Sequence, residues 1–260
     1  MSTGSYYERI DEHCFKPTAH ASGAWSTDEV HFSPLGGLIT HAIDRHLADR
    51  PGEPLLLSRI SFDILGRLAL DACEIRVETI RPGRTIELVE AVALIGDRPV
   101  VRARAWCLAA GDTGAVAGGE ADRLTPPEAL APWPMGELWP GGYIASLDVR
   151  PLGPPLPGRT TAWISTPLAL VAGEPAGPLA SYVALVDTAN GIAVREQPTA
   201  WMFPNVDLTI HLHRRPEGDW TGLDTTVVFG PTGQGITSTV LHDIHGPVGH
   251  AQQILTVRPS

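Results

Sequence analysis

The sequence predicts an α+β protein with two similar tandem domains, each built from one central helix and an antiparallel sheet. The first observation is an internal repeat. A shift of 148 residues (98 to 246) places Arg98-Pro99-Val100 on Gly246-Pro247-Val248, and a shift of 146 (59 to 205) places Arg59-Ile60-Ser61-Phe62 on Asn205-Val206-Asp207-Leu208. Repeats of this length indicate two copies of a domain rather than a solenoid. The second observation is that each copy predicts one helix followed by four strands.

The first half begins its regular structure with a helix. Ser33-Pro34 predicts its start, because serine caps a helix and proline fits the first turn. Apolar residues then follow helical spacing up to Leu47, and Pro51-Gly52 ends the segment. A short strand is expected before the helix, near Ala24–Phe32. Four strands separated by turn residues are expected after it, at 55–65, 72–80, 85–94 and 100–108.

The second half repeats this order. A helix is expected from Gly177-Pro178 to Asn190-Gly191, after a short strand near Gly158–Thr166. Four strands should follow, at 200–213, 221–229, 235–242 and 248–257. Residues 111–142 are rich in proline and small residues, which is typical of a linker. We therefore expect domains at 1–110 and 143–260, in the double-hotdog arrangement of two sheet-wrapped helices.

Composition narrows the class of protein. The 260 residues are 43% hydrophobic and 18% charged, which is enough for two cores. The net charge of −10 argues against broad nucleic-acid binding, because such binding depends on neutralising phosphates. No apolar run approaches the ~20 residues of a membrane span. The polar segment Met1–Asp11 has no signal-peptide core, so a cytoplasmic location is expected.

Three cysteines without CxxC spacing predict neither a disulfide framework nor a zinc site. His211 and His213 share a strand face, but no third ligand accompanies them, and we expect no metal and no cofactor. The expected partner is a small molecule. The sequence leaves open whether the protein is a homo-oligomer.

Three segments resemble the acyl-CoA thioesterase II group of double-hotdog proteins. They are Val77-Glu78-Thr79-Ile80-Arg81-Pro82-Gly83, the strand from Asn205-Val206-Asp207-Leu208 to His213-Arg214, and Ala251-Gln252-Gln253-Ile254-Leu255. The resemblance implies hydrolysis of an acyl-CoA thioester to fatty acid and CoA. Water would be activated by an Asp, a Gln and a Thr, without a covalent intermediate. Asp207 and Gln253 fall at the positions of the catalytic aspartate and glutamine.

The resemblance leaves the threonine open. Anchoring on Trp220 places Val228 at the catalytic position, whereas matching Leu223-Asp224-Thr225-Thr226 to the family strand selects Thr226 and leaves Thr225 beside it. We take Thr226 as the third catalytic residue. CoA phosphates would suit Arg102 with Arg104, or Arg214 with Arg215, although such pairs also solvate sheet faces.

The residues themselves allow a structural and a functional interpretation of each candidate. Asp207 lies on the polar face of an alternating strand, where it is either a solvated carboxylate or a general base between the halves. Gln253 shares its face with apolar residues, and an unpaired buried amide costs about 1–3 kcal/mol, so it needs a partner. The first copy has Ser61 and Ala105 at these two positions, which favours function in the second copy.

The two helices carry further candidates. Gly36 and Gly37 are costly in a first helical turn, at about 1 kcal/mol each. They are explained equally by close packing or by a substrate-binding backbone at the positive end of a helix. Asp187, near the end of the second helix, is either a structural hydrogen-bonding group or a reserve base.

Two other functions stay open. An enoyl-CoA hydratase can be built on the same scaffold, but the Asp/His pair expected for it is absent from the sequence near Asp187. A non-catalytic binder of acyl or other hydrophobic ligands is favoured by Val228 at one threonine position. No G-x-S-x-G nucleophile elbow, P-loop or dinucleotide motif occurs.

Overall fold

A computed structural model describes residues 4–260; the first three residues of the N-terminal segment used to predict location lie outside it. The first half contains one long helix and six strands. They are β1 (Ser5–Arg9), β2 (Cys14–Pro17), α1 (Phe32–Ala48), β3 (Leu55–Ile64), β4 (Cys73–Arg81), β5 (Ile86–Ile95) and β6 (Arg98–Ala109). The four strands after the helix agree with the sequence-based expectation to within one or two residues.

The second half repeats the long strands around a shorter helix. Its elements are α2 (Gly142–Ala145), β7 (Asp148–Pro151), β8 (Arg159–Ser165), β9 (Ala169–Val171), α3 (Pro178–Val186), α4 (Ala189–Ile192), β10 (Trp201–Met202), β11 (Asp207–Leu212), β12 (Thr221–Phe229), β13 (Gln234–Asp243), β14 (Gly246–Thr256) and β15 (Arg258–Pro259). No helix in the described part of the chain is long and apolar enough to span a membrane.

The two halves share one sheet. Thirteen of the described strands form it in the order β7-β8-β12-β13-β14-β11-β3-β6-β5-β4-β2-β1-β9. The halves join where β3 and β11 pair antiparallel, with Ser61 opposite Thr209. At the far end β9, from the second half, pairs parallel with β1. The sheet wraps α1 and α3, which pack against each other. The predicted double-hotdog α+β fold is confirmed.

Small residues let the helices approach their neighbours closely. A Cβ atom on Gly37 would lie 2.5 Å from the Cβ of Ala184, so only glycine fits where α1 crosses α3. A Cβ on Gly36 would meet nothing closer than 3.4 Å. Ala91, Ala103 and Ala105 are fully buried in the first half of the sheet. Close packing therefore accounts for Gly37.

Two expectations near α1 are wrong. The cap is His31, whose ring accepts a hydrogen bond from the Ser33 amide, so the helix begins at Phe32 rather than after Ser33. Within the described chain, 24–32 forms isolated bridges, such as Ser22 with Val30, instead of the predicted strand. The apolar residues of this segment face a cavity rather than a neighbouring strand.

Two elements of the second half are shorter than predicted. Helix α3 ends at Val186, and α4 forms a separate turn after it. The strand predicted at 200–213 is divided into β10 and β11 by the irregular segment 203–206. Both interruptions lie beside the same cavity.

The second part of the predicted linker 111–142 packs against the core, whereas residues 111–123 are exposed. The linker contains the 3₁₀ turns Gly114–Val116, Pro127–Ala129 and Met135–Glu137. Met135 and Trp139 are buried, and the Trp139 indole N–H donates to the carbonyl of Gly191 at 2.9 Å. The second part of the linker therefore forms one wall of the region between the halves.

Candidate active site

A β-bulge turns one polar side chain inward at the start of β11. Thr209 lies opposite Gln252, and Asn205 forms a bridge with Leu255. Four steps on one strand therefore span three on the other, which is one extra residue. The side-chain alternation shifts at this point. Asn205 consequently reaches the interior, whereas Asp207 stays on the outer face.

Asp187 is the buried carboxylate that Asn205 contacts because of this bulge. It caps the C-terminal end of α3 and is 6% exposed. Its Oδ1 atom accepts one hydrogen bond from Nε2 of Gln253 at 2.7 Å and another from Nδ2 of Asn205 at 2.8 Å. Burial raises the pKa of Asp187 to about 6, and the two amide donors hold it below a still higher value.

His31 faces the other oxygen of Asp187. Its Nδ1 lies 3.9 Å from Oδ2 of Asp187 but accepts the Ser33 amide at 3.1 Å. Burial lowers the pKa of His31 to about 3, so the ring is neutral at physiological pH and carries its proton on Nε2. The contact with Asp187 is therefore not an ion pair.

Tyr143 contacts both His31 and the end of helix α3, where Asp187 lies. Its ring stacks on His31 with centroids 4.2 Å apart. Its hydroxyl donates to the carbonyl of Ala184 at 3.2 Å and lies 2.6 Å from the Thr188 hydroxyl. The Tyr143 ring thus connects the start of α1 to the end of α3, one from each half.

A cavity of about 210 Å³ opens between the halves beside these groups. Five segments of the chain form its walls: 23–32, 64–68, 135–144, 187–191 and 204–205. Asp187, His31 and Asn205 contribute polar lining, together with Thr188 and Asn190. Most of the remaining wall is apolar. A cleft that combines apolar walls with convergent polar groups is the usual form of a small-molecule site.

The structure does not bring the predicted triad onto one face of the sheet. Gln253 is 1% exposed and faces inward. The half-buried Asp207 lies on the outer face, where its Oδ1 accepts the amide of Ile254 at 2.6 Å. Partial burial raises the pKa of Asp207, as does Asp63, which lies opposite it on β3. Its carboxylate satisfies a backbone amide at the bulge.

Thr226 also lies on the outer face. It pairs with Ser238, which pairs with the exposed Gln252 rather than with Gln253. Directly opposite residues share a face of a sheet, so Thr226 faces away from Gln253. Val228, two residues further, is 58% exposed on that same face. Thr225 faces inward and is hydrogen bonded to Thr239 at 3.0 Å.

The glycine and arginine candidates lie outside the cavity lining formed by the described residues. Gly36 and Gly37 follow the His31 and Phe32 end of α1, which does line it. Arg102 and Arg104 both pair with Glu90, and Arg214 pairs with Asp243. The arginine at the cavity is Arg67, whose Nε lies 2.8 Å from Glu29.

Fold and site together define a double-hotdog protein with a polar cluster at the interface between its halves. Two domain models of one family match the chain. The acyl-CoA thioesterase N-terminal domain matches residues 21–108, and the acyl-CoA thioesterase C-terminal domain matches residues 127–257. The chain belongs to this acyl-CoA thioesterase family. Comparison with curated proteins gives no significant match.

Solved structures share the fold over nearly the whole chain. A hot dog fold protein of unknown function from Alicyclobacillus acidocaldarius has a TM-score of 0.74 at 14% identity, covering 96% of this chain and 95% of that one. The tesB protein of Mycobacterium avium subsp. paratuberculosis has a TM-score of 0.69 at 16% identity, with 97% and 96% covered. The acyl-CoA thioesterase II TesB2 of Mycobacterium marinum has 0.65 at 14% identity, with 98% and 95% covered.

Proposed function

We propose that the protein hydrolyses acyl-CoA thioesters, with the Asp187 carboxylate as the general base that activates water. The observation that carries this proposal is the position of Asp187 in the cavity wall with a pKa raised to about 6. A general base works best when its pKa lies near the working pH. Asp187 combines that property with access to a ligand-sized space.

The hydrogen bonds at Asp187 give its two carboxylate oxygens different roles. Oδ1 accepts from both Gln253 and Asn205, which fixes the plane of the carboxylate. Among the described residues Oδ2 has no hydrogen-bond donor, so it is free to accept from a water in the cavity. That water loses a proton to Oδ2 as its oxygen attacks the thioester carbonyl carbon. The C–S bond then breaks, and the proton on Asp187 passes to the departing sulfur, which gives a carboxylic acid and free CoA thiol.

The start of α1 is suited to the charge that develops on the carbonyl oxygen. His31 and Phe32, at the N-terminal end of this 17-residue helix, border the cavity. The helix dipole gives this end a partial positive charge. The neutral His31 ring adds an Nε2–H donor, because Nδ1 is occupied as an acceptor. Both favour an oxyanion over the neutral carbonyl.

Gln253 belongs to this proposal and to the catalytic triad predicted with Asp207 and Thr226. The arguments for Asp207 are its position in the family motif and its raised pKa. The arguments for Asp187 are its contact with Gln253, its deeper burial and its place in the cavity. We therefore propose Asp187 as the base and Gln253 and Asn205 as residues that position it. Asp207 is the alternative base.

The direct test measures free thiol released from a series of acyl-CoA thioesters at pH 7.5. Reaction in ¹⁸O-labelled water, with one labelled oxygen in the acid formed, supports attack by water. A second candidate, a binder without catalysis, is favoured by the outward orientation of both Thr226 and Val228. Saturable acyl-CoA binding with no thiol release across the series would overturn hydrolysis and support the binder.

A further inference from the structure

We infer that the acyl group bound at this site is compact, with about eight non-hydrogen atoms, and is built on an aromatic ring. This inference rests on the proposed function, because it takes the cavity beside Asp187 as the acyl site. It departs from the fatty-acyl substrate expected from the sequence. Three features of the described residues carry it: the volume of the cavity, the nature of its walls and their rigidity.

The volume indicates the size of the group that the cavity can surround. A cavity of about 210 Å³ is somewhat larger than the roughly 150 Å³ that holds one benzene molecule, so it accommodates about eight non-hydrogen atoms. A benzoyl or phenylacetyl group is of this size. A sixteen-carbon chain would need roughly twice the space at a similar volume per group. A long acyl chain would therefore extend beyond this cavity, either into solvent or by displacing the walls, and would lose contacts with them.

Aromatic rings form part of the apolar wall. Trp25, Trp139 and Phe32 line the cavity, together with the His31 ring. Aromatic rings pack favourably edge to face, which stabilises them beyond the contribution of their buried area. A flat ring in this space can make such contacts on more than one side. A flexible alkyl chain of equal volume cannot, and it also loses rotational freedom on binding.

The walls are held from behind. Trp25 packs edge-on against Trp139 and Phe203, with ring centroids 4.8 and 5.1 Å apart. The Trp139 indole N–H is tied to the carbonyl of Gly191. On the other side Phe32 packs edge-on against Phe62 at 5.3 Å. Each lining ring is braced by another group, so enlarging the cavity costs packing energy.

Polar residues mark the remaining wall of the cavity. Ser26, Glu29 and Arg67 belong to its lining, and Arg67 is 61% exposed. These side chains suit the polar part of a thioester, which extends towards solvent. The acyl ring would then lie against Trp25 and Trp139, with its carbonyl near Asp187.

Binding and turnover test the inference separately. Non-hydrolysable thioether analogues of benzoyl-, phenylacetyl-, hexanoyl- and hexadecanoyl-CoA are titrated against the protein, with tryptophan fluorescence as the readout. We expect the two aryl analogues to bind tightest and hexadecanoyl-CoA thioether at least about tenfold more weakly, as a site of fixed shape can discriminate. Equal or tighter binding of the hexadecanoyl analogue would overturn the inference.

A variant links the preference to the wall. Trp25→Ala opens the cavity and is expected to reverse the preference towards the longer analogues, whereas Trp201→Phe, at an exposed tryptophan outside the lining, should leave it unchanged. Unchanged selectivity in a folded Trp25→Ala protein would contradict the assignment of the wall. Trp25→Leu is the milder variant should Trp25→Ala unfold. Selective aryl binding without thiol release would retain this inference and reject hydrolysis; hydrolysis with long chains preferred would do the reverse.

Discussion

The Gln253 side chain donates its amide N–H to Oδ1 of Asp187 at 2.7 Å, joining strand β14 to the end of helix α3. In the first copy of the repeat, Ala105 occupies the position of Gln253 (253 − 148 = 105). The fold therefore does not need an amide at this point of the sheet. Its presence only where a buried carboxylate faces it connects the repeat to the site.

The pH dependence of hydrolysis should follow Asp187. The base must be ionised, so kcat/KM is expected to fall as the pH decreases through about 6, the raised pKa of Asp187. Measurement of kcat/KM between pH 4.5 and 8.5 checks this. A profile that is flat down to pH 4.5 would argue against a carboxylate in this environment.

His31 should not contribute to this fall in kcat/KM at low pH, which is the acidic limb of the pH profile. An exposed histidine titrates near 6.5 and would give a similar profile, but burial lowers the pKa of His31 to about 3. We expect His31→Asn to reduce the rate, because it removes the Nε2–H donor, and to leave the limb near pH 6. Disappearance of the limb in this variant would assign it to His31 instead.

Gln253→Ala should shift the acidic limb upward. Its hydrogen bond lowers the pKa of Asp187, so its loss favours the protonated form, and the limb moves to higher pH. The rate at high pH is expected to fall as well, because the carboxylate loses one positioning contact. Gln252→Ala is the matched control, since Gln252 is exposed on the opposite face. A limb that moves equally in both variants would contradict the role given to Gln253.

Two neighbouring glycines should respond oppositely to alanine. Gly37→Ala places a Cβ 2.5 Å from that of Ala184, so it is expected to destabilise the protein by about 1–3 kcal/mol, as overpacking does. Gly36→Ala has 3.4 Å of room and gains helix propensity of up to about 1 kcal/mol. Urea denaturation of both variants measures the difference. Equal stabilities would show that α1 and α3 do not cross at Gly37.

Asp44, on α1, lies beside the start of α3, and no amide side chain among the described residues donates a hydrogen bond to it. Its Oδ2 would lie 3.1 Å from a Cβ on Gly177, the cap of α3, much as Asp187 lies at the start of α1. Burial raises the pKa of Asp44 to about 6. Because the folded-state pKa is above the unfolded one, this carboxyl lowers stability as pH rises from about 4 to 6, and the loss persists above that.

Asp44→Asn should therefore stabilise the protein at pH 8 by up to about 3 kcal/mol and have little effect at pH 4. The free energy of unfolding at the two pH values tests this. Hydrolysis by Asp44→Asn should match that of the unmodified protein, since Asp44 lies outside the cavity lining. A gain in stability that is equal at both pH values would remove the titration of Asp44 as its cause.

Repetition and alternation predicted most of the fold. In the long strands of both halves and in the central helices, apolar residues recur every two or every 3.6 residues. This spacing is visible in the sequence, so it predicts these elements. The short strands β1, β2 and β9 were not predicted. Strands β1 and β2 pair with each other, and β9 of the second half pairs with β1 of the first. The partner of β9 is therefore distant in sequence.

The candidate site was predicted only in part. Gln253 could be found because it interrupts an apolar face. Asn205 and Asp207 share a face in a regular strand, and the bulge that separates them leaves no signal in the alternation. His31 lies two residues before Ser33. The sequence favoured Ser33 as the helix cap, because serine is a common cap residue, and His31 was therefore not predicted. The location of Asp187 depends on contacts between distant residues, which local patterns do not encode.

The central claim is that Asp187, and not Asp207, is the base. Asp187→Asn and Asp207→Asn each remove a charge and keep an oxygen that can accept the existing hydrogen bonds. Thiol release from benzoyl-CoA at pH 7.5 should fall by about 10²–10⁴-fold in Asp187→Asn. In Asp207→Asn it should stay close to that of the unmodified protein. A large loss in Asp207→Asn with activity retained in Asp187→Asn would contradict the account.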